Sequence, residues 1–532
     1  MNYKLSRHFL IWVGLFLTVF SSSAFAEEAG LDKMITDTVG PFMEPFVATI
    51  FYSVTIPGLG IAFPLIVGWL VVAATIFTLY FGFIQFRAFG HSLALVSGKY
   101  SDPNDAGEVS HFQALATALS GTVGLGNIAG VAVAVSIGGP GATFWMILAG
   151  LLGMASKFTE CTLGVKYRNE YEDGTVSGGP MYYLSKGMSE SGSGAKAALG
   201  KVLAVMFAIF CILGSWGGGN MFQANQAHSQ LVNITGGADS FLNGNGWITG
   251  VILAAIVFAV IVGGLKSIAR VTEKVVPFMA VIYVTAAVVI LVMNADKIGW
   301  AFGQIFAGAF TGLGIAGGLV GALIQGFKRA AFSNEAGVGS AAIAHSAVRT
   351  KEPITEGYVS LLEPFIDTVV ICTMTALVIV ITGVLTADPA TGLYAWDAAA
   401  GRIATEGGLS GVELTSAAFA TSFSWFPYVL ALAVLLFAFS TMISWSYYGL
   451  KAWTYLFGEG HIKELIFKIL FCIFVIIGAA MNLGIVIDFS DAAIFAMALV
   501  NIVGLYFLMP IVKAEMQSYN ARLKSGEIRR YK

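Results

Sequence analysis

The chain has 532 residues, of which 57% are hydrophobic and only 11% are charged, and 29 Lys and Arg nearly balance 31 Asp and Glu. Soluble domains carry about 25% charged residues, so a water-soluble fold of this size is excluded and lipid is the expected surrounding. The near-zero net charge also excludes a dominant basic surface, and with it a nucleic-acid partner.

The first 26 residues have the pattern of a targeting segment. Lys4 and Arg7 precede an apolar run, and Ala24-Phe25-Ala26 has the small-x-small form of a cleavage site. The alternative is an uncleaved first helix. Cleavage predicts a signal peptide over 1–26, a periplasmic N-terminal segment over 27–56, and a bacterial inner membrane as the location.

Eleven later stretches are apolar enough to span a membrane as helices of about 20 residues. They predict an all-α polytopic protein with a transmembrane domain over residues 57–515 and a cytoplasmic tail over 516–532. The predicted spans are 57–84, 112–138, 141–166, 200–223, 247–265, 273–294, 305–331, 361–387, 424–450, 465–487 and 491–513.

The basic residues of the loops predict the orientation of these spans. Apart from the targeting segment, only Lys33, Lys297 and Arg402 fall on one side, and all other Lys and Arg fall on the opposite side or on helix ends there. Because positive charge concentrates in cytoplasmic loops, the sequence predicts an external mature N-terminus and a cytoplasmic C-terminus.

Without the extra helix at 57–84, ten spans remain, and they divide into repeats of five over 112–294 and 305–513. The two repeats begin on opposite sides of the membrane, as in many secondary transporters, whose site lies at interrupted helices near the midplane. Glycine-rich runs at 121–130 and 311–318 favour an interruption in the first helix of each repeat. The alternative is close helix packing through small residues.

An interrupted helix exposes backbone groups that need partners inside the membrane. Freed N–H groups at a helix N-terminus favour a carboxylate, and freed carbonyls favour a hard cation. In residues 124–127, Gly-Leu-Gly-Asn, the missing side chains let a ligand approach the main chain, and Asn127 adds an amide. The run therefore predicts a site for a zwitterion and a cation.

Further polar side chains lie in apolar helices. Gln223 indicates either substrate contact or a cap at the outer interface, and residues 333–335 indicate either a cavity or a helix cap. Ser440 and Ser444 share one helix face, so they predict either Na⁺ ligands or hydroxyls bonded to their own helix.

Ionisable and catalytic groups are sparse within the spans. Glu160 and Asp367 are lone acids, for which a proton or cation site competes with packing against a Lys or Ser. The four cysteines lie in apolar runs without a CxxC pair and are expected to be packed free thiols. The sequence has no GxxxxGK[ST], HExxH or GxSxG motif, so it predicts neither an ATP-driven pump nor an enzyme.

Five motifs are shared with a known family. They are SHFQAL at 110–115, GTVGLGNIAG at 121–130, GGPMYY at 178–183, FSNEAGVGS at 332–340 and WSYYG at 445–449. Through them the sequence resembles the alanine or glycine:cation symporter family over about residues 85 to 515.

The resemblance implies import of a small neutral amino acid, alanine or glycine, coupled to Na⁺ or H⁺. It also implies alternating access, the fold of the leucine transporter, no catalytic residues and no cofactor besides the transported ion. Carried over by position, the substrate-binding residues would be Thr122, Gly124, Leu125, Gly126, Asn127, Gln223, Phe327 and Met442. The Na⁺ ligands would be carbonyls of Ser120 and Val123 and hydroxyls of Ser440 and Thr441. Thr122 and Asn127 also match positions of a second Na⁺ site in related symporters.

Overall fold

The computed structural model describes residues 30–57, 61–102, 105–172, 174–190, 192–311, 318–386, 394–397, 399 and 401–531. The predicted targeting segment and residues 312–317 of the second glycine run lie outside these ranges.

The described chain is mostly helical. The helices are α1 Leu31–Ile50, α2 Leu65–Tyr80, α3 Ile84–Arg87, α4 Phe89–Val96, α5 His111–Thr122, α6 Gly126–Gly138, α7 Gly141–Lys166, α8 Pro180–Tyr182, α9 Gly194–Ile234, α10 Gly246–Ile261, α11 Gly264–Met293, α12 Ala295–Thr311, α13 Gly318–Asn334, α14 Ser340–His345, α15 Pro353–Ile381, α16 Val412–Ala420, α17 Phe426–Phe457, α18 His461–Ala480 and α19 Leu483–Ser525. Wide π-helical turns occupy Gly126–Gly130, Tyr183–Gly187, Gly217–Met221 and Phe365–Cys372, and 3₁₀ turns lie at Gly237–Asp239 and Glu406–Gly408.

Strands occur as three short antiparallel pairs in the connections. These are β1 Ser53–Thr55 with β2 Ala62–Pro64, β3 Asn169–Glu170 with β4 Val176–Ser177, and β5 Trp396–Asp397 with β6 Arg402–Ile403. The strands are too short to form a core, so the fold is set by helix packing.

Several helices have the length and apolar surface of membrane spans. Within the described ranges, six single helices meet both criteria, namely α7, α9, α11, α15, α17 and α19, and the bent pair α5 and α6 meets them together. The helices α2 and α10 are apolar but shorter. The multi-pass prediction is therefore confirmed, while the count of eleven and the status of 57–84 as an extra span stay predictions.

The first predicted interruption is present. Helix α5 ends at Thr122 and α6 begins at Gly126, with a bend of 50° between them. The wide turn Gly126–Gly130 follows at once, so the irregular backbone coincides with the glycine run at 121–130.

The interruption predicted at 311–318 falls mostly on residues 312–317, which lie outside the described ranges, so it stays a prediction. The predicted span 305–331 falls on two helices, α12 and α13, and α13 runs from Gly318 to Asn334 as one helix despite Gly321 and Gly326. The second break that the structure shows follows at residues 335–339, where Glu335, Gly337 and Gly339 all have positive φ. Gly326 inside α13 serves packing: a Cβ at position 326 would lie 2.5 Å from Cβ of Trp145.

Two basic residues depart from the predicted charge pattern. The charge pattern predicts Lys328 and Arg329 at a cytoplasmic helix end, yet they lie within the helix bundle. Both pair with the buried carboxylate of Asp491, Lys328 at 2.9 Å, and Lys328 also lies 4.3 Å from the ring centre of Phe51. A basic residue that has a buried acidic partner therefore carries no information about topology.

Segment 31–50, expected only as a polar periplasmic stretch, forms the helix α1. Gly40 packs on Ile485 of α19, where an added Cβ would lie 3.1 Å from Cδ1. At its other end, Asp32 accepts hydrogen bonds from the N–H groups of Gly246 at 2.6 Å and Trp247 at 3.3 Å. Asp32 thus supplies the acceptor that the N-terminus of α10 needs.

Close backbone contact fixes how α7 meets α12. A Cβ at position 141 would lie 2.2 Å from the carbonyl carbon of Gly308, a clash with main chain that no rotamer change relieves. We expect Gly141→Ala to lower the stability of the detergent-purified protein by about 1–3 kcal/mol, the usual cost of overpacking. The measurement is the thermal unfolding midpoint.

Gly303→Ala on α12 is the matched control, because a Cβ there meets nothing within 4 Å. It should leave the midpoint unchanged or raise it, since Ala favours helix over Gly. Equal midpoints for the Gly141 variant and the wild type would contradict the packing.

Candidate functional site

The two interruptions face each other in the centre of the bundle. A Cβ at position 126 would lie 3.3 Å from the Cα atom of Ser333, so the absence of a side chain at Gly126 lets the first break approach the end of α13. Both sequence motifs that include the breaks, at 121–130 and 332–340, therefore contribute to one region.

Side-chain amides bind the backbone of the first break. The N–H of Gly124 donates to Oδ1 of Asn127 at 2.9 Å, and the N–H of Leu125 donates to Oε1 of Gln223 at 3.1 Å. The Gln223 amide is itself oriented by a bond from Nε2 to the carbonyl of Gly218 at 2.9 Å. Each of these N–H groups, which the sequence predicts to be freed by the break, therefore donates to a neutral oxygen.

Hydroxyl and carbonyl oxygens converge where α17 crosses the end of α5. Thr441 donates to the carbonyl of Ser120 at 3.0 Å, and Ser120 donates to the carbonyl of Ser440 at 2.7 Å. Ser444 donates to the hydroxyl of Ser120 at 3.0 Å. The structure thus brings Ser120, Ser440 and Thr441 together beside the buried Val123 and adds Ser444, whose place on the same face the sequence indicated.

A second group of oxygens surrounds Asp367 in the wide turn of α15. Its Oδ1 accepts from Asn127 at 2.6 Å and from Ser333 at 3.1 Å, and its Oδ2 accepts from Thr368 at 2.7 Å. The carboxylate is fully buried. Asp367, a lone acid in the sequence, therefore connects the first break, the end of α13 and the turn of α15.

A narrow cavity of about 10 Å³, the size of a single water site, lies between the breaks. It is lined by Gly121, Thr122, Gly126, Gly218, Gln223, Phe332, Glu335, Trp445 and Ile494. Of the sequence-predicted substrate residues, Thr122, Gly126 and Gln223 line it, and Gly124, Leu125 and Asn127 lie directly behind. Phe327 instead stacks near Trp145, with ring centres 6.5 Å apart, and Met442 is buried within α17, so their contact with substrate stays a prediction.

Among the lining residues that the sequence did not assign, two carry polar groups, Glu335 and Trp445. Glu335, with φ of 54°, accepts hydrogen bonds from Nε1 of Trp445 at 2.9 Å and from the hydroxyl of Ser340. The indole fits because position 219 is glycine, where a Cβ would lie 2.2 Å from Cγ of Trp445. Both residues lie in the shared motifs at 332–340 and 445–449, but a helix cap explains the polar residues 333–335 equally well.

The donor chemistry of this region suits a hard monovalent cation and a zwitterion. Oxygen ligands from hydroxyls, amides and carbonyls are preferred by hard cations. Among the described residues, no group of three or more His, Cys, Asp or Glu is arranged to hold a metal ion, and Cys161, Cys211, Cys372 and Cys472 are free thiols, as predicted.

Comparisons with known proteins show which family the chain resembles. A sodium/alanine symporter, AgcS of Methanococcus maripaludis, is 41% identical over 444 residues, which cover 83% of this chain and 91% of that protein. An uncharacterized transporter of Haemophilus influenzae is 37% identical over 454 residues, covering 84% of this chain and 91% of that protein.

A solved structure, MhsT in complex with L-phenylalanine, aligns with a TM-score of 0.50 at 14% identity, over 78% of this chain and 99% of MhsT. The shared fold is that of the leucine transporter. The family model described as the sodium:alanine symporter family matches residues 50–532. The chain is therefore a transporter rather than an enzyme, and it belongs to the sodium:alanine symporter family of cation-coupled amino-acid symporters.

Proposed function

We propose that this protein imports alanine or glycine together with Na⁺ by alternating access, with the substrate held at the break between α5 and α6. The observation that carries the proposal is the small central cavity between two interrupted helices, with a cluster of oxygen ligands on either side. The transported Na⁺ is the only cofactor proposed, and H⁺ is the alternative coupling ion.

The amide contacts indicate how the substrate carboxylate binds. The N–H groups of Gly124 and Leu125 each hold an amide oxygen, from Asn127 and Gln223. A carboxylate that replaces the Gln223 oxygen keeps the hydrogen bond and adds the preference of a helix N-terminus for negative charge. The ammonium group then faces the carboxylate of Glu335 across the cavity.

Na⁺ is assigned to the oxygens of Ser120, Val123, Ser440 and Thr441, with Ser444 beside them. A second cation position, at Asn127 and Asp367, lies against the same break. Substrate and ion then stabilise one closed arrangement of the two breaks, and this shared preference is the coupling free energy.

The cavity walls favour small side chains. Trp445, Phe332 and Ile494 close the space opposite the glycines and leave only about 10 Å³ between them, so the walls must separate to admit even the smallest amino acids. The proposal therefore names alanine and glycine rather than larger neutral amino acids.

The proposed setting is a bacterial inner membrane, with a cleaved signal peptide, an external mature N-terminus and a cytoplasmic C-terminus. In this arrangement 57–84 is an extra helix before two inverted repeats of five. Loop charge supports it, with Lys328 and Arg329 left out of the count. Green fluorescent protein fused after the C-terminus tests the orientation, because it fluoresces only in the cytoplasm.

The central test is uptake of labelled alanine by proteoliposomes under imposed gradients. A Na⁺ gradient should drive accumulation above the external concentration, and unlabelled glycine should compete while leucine does not. Uptake that is indifferent to both Na⁺ and H⁺ gradients would overturn the symporter mechanism. Equal competition by leucine would overturn the substrate assignment alone.

Asn127→Leu tests the substrate site. The change removes the acceptor of the Gly124 N–H and the donor to Asp367, and it leaves both of these buried groups without that partner. Loss of the bond to the charged Asp367 should weaken binding of alanine at least about tenfold. Equilibrium binding of labelled alanine measures this. Asn294→Leu, at the end of α11, is the control, and intact binding in the Asn127 variant would remove the site.

Thr441→Val tests the Na⁺ ligands, since valine keeps the shape of threonine but has no hydroxyl. The Na⁺ concentration for half-maximal uptake should rise at least about tenfold, because a bond to a charged group contributes about 1.5–3 kcal/mol. Thr454→Val, on the same helix and away from α5, should behave as the wild type. An unchanged Na⁺ requirement in the Thr441 variant would speak against this ion position.

A further inference from the structure

A row of buried ionisable side chains runs from the start of α5 toward the second break. Nδ1 of His111 and Nδ1 of His345 both contact the carboxylate of Glu356. Nε2 of His345 lies 3.5 Å from Oε2 of Glu363, whose Oε1 accepts a hydrogen bond from Lys157 at 3.0 Å. None of these side chains is more than 3% exposed, so their charges must be balanced within the cluster.

Glu160 is the last member of this row and has the fewest partners. Its Oε1 lies 3.9 Å from Nζ of Lys157 and has no hydrogen-bond partner in the described chain. Its Oε2 accepts from Nδ2 of Asn501 at 3.1 Å. The same Nδ2 donates to the carbonyl of Gly337 at 2.9 Å, so one amide group joins Glu160 to the backbone of the second break.

The charges of the cluster do not balance without an additional proton. Its carboxylates are Glu160, Glu335, Glu356 and Glu363, and its bases are Lys157, His111 and His345. Even with every base protonated, one negative charge is left over in a fully buried place. One carboxyl group must therefore be neutral.

The hydrogen bonds decide which carboxyl group carries the proton. Glu356 is held by two histidines, Glu363 by a hydrogen bond from the charged Lys157 and an ion contact of 3.5 Å with His345, and Glu335 by hydrogen bonds from Trp445 and Ser340. Donors stabilise the ionised form. Glu160 has a single neutral donor, Asn501, and one oxygen without a partner, which is where a bound proton lies.

We propose that Glu160 is a proton-binding site and that binding of the amino acid releases this proton along the row of buried side chains. The inference rests on the proposed function, because the substrate ammonium group is what displaces the proton. None of the proposed Na⁺ ligands contacts Glu160 in the described structure, so release of the proton does not depend on them.

A proton fits this cluster, and a metal ion does not. The ammonium group of Lys157 lies between the two carboxylates, at 3.0 Å from Glu363 and 3.9 Å from Glu160. A second cation there would be repelled by Lys157 at short range in a medium of low dielectric constant. A proton on Glu160 adds no volume and removes the excess charge.

The position of Glu335 explains why binding of the substrate releases a proton rather than taking one up. The substrate ammonium group enters the cavity that Glu335 lines and adds one positive charge next to a neutral buried cluster. Added positive charge favours the ionised form of a nearby carboxyl group, and Glu160 is the carboxyl group with a proton to lose. The ionisable groups that face Glu160 from its own and the neighbouring elements are Lys157, Cys161, Tyr183, Glu335 and Glu363.

The released proton has a route to the surface in which two links, Glu160 to Lys157 at 3.9 Å and Glu363 to His345 at 3.5 Å, must shorten before a proton crosses. Lys157 takes the proton of Glu160 as it gives one to Glu363, and His345, Glu356 and His111 pass one on in turn. Each group gains one proton and gives one, so the net change is the ionisation of Glu160 alone. His111 begins α5 directly after the exposed Ser110, on the side predicted to face the cytoplasm.

Calorimetry of alanine binding in several buffers tests the proposal. At saturating Na⁺ and neutral pH, the binding enthalpy of the wild-type protein should vary with the ionisation enthalpy of phosphate, HEPES and Tris, with a slope that reports release of about one proton. Glu160→Gln keeps the shape and the bond from Asn501, so it should bind alanine with no such slope. Glu273→Gln, a half-buried carboxylate near Gln113, should behave as the wild type.

The wild-type protein alone can overturn the inference, so it does not depend on the folding of a variant. Alanine binding with a zero slope, or with uptake of a proton, would exclude release from Glu160. An equal slope in the wild type and the Glu160 variant would place the proton elsewhere. Absence of alanine binding by the wild type would overturn the proposed function and this inference together, whereas the other outcomes leave the proposed function standing.

Discussion

The need of every backbone polar group for a partner inside the membrane governs this structure. A helix meets the need internally, but each interruption leaves N–H and C=O groups that hydrocarbon cannot satisfy. Here side-chain amides supply the partners: Asn127 and Gln223 at the first break, and Asn334 and Asn501 at the second, where they bond to the N–H of Ala336 and the carbonyl of Gly337. Because Gln223 and Asn501 come from other helices, the breaks fix how several helices meet.

Helix α7 is the element on which the second break rests. Its glycines let the backbone of other helices approach: a Cβ at position 164 would lie 2.7 Å from the carbonyl of Ala342, and one at 153 would lie 2.7 Å from Cβ of Ala336. The same helix carries Lys157 and Glu160, so close packing and buried charge act at one interface. A shift of the second break therefore changes the surroundings of these charges.

The helices and the first break depend on local sequence pattern, and the sequence predicts both. The apolar runs became helices, and the break at 121–130 lies where glycine makes a helix weak. The break at 335–339 was not predicted, because glycine content alone does not distinguish a helix that unwinds from one that packs: Gly326 is needed for contact with Trp145, whereas the backbone leaves the helix at Glu335, which is not a glycine.

The part of the candidate site that lies on one helix face could be predicted from residue spacing. Ser440, Thr441 and Ser120 come together as the resemblance implied. Glu335, Trp445 and the partners of Asp367 depend on contacts between residues far apart in sequence, which no spacing rule reports. Lys328 shows the same limit for topology, since only the fold reveals Asp491 beside it.

The size of the cavity and the irregular backbone have a common cause. Trp445 occupies its place because Gly219 leaves room for the indole, and its N–H bonds to Glu335 in the second break. Any larger side chain at 219 would push the indole toward Gly126 and Gln223, and loss of the indole would remove a donor from a buried carboxylate, a costly change. This cavity wall is thus held by the same hydrogen bond that stabilises the second break, so a variant that widens the cavity by truncating Trp445 also weakens that break.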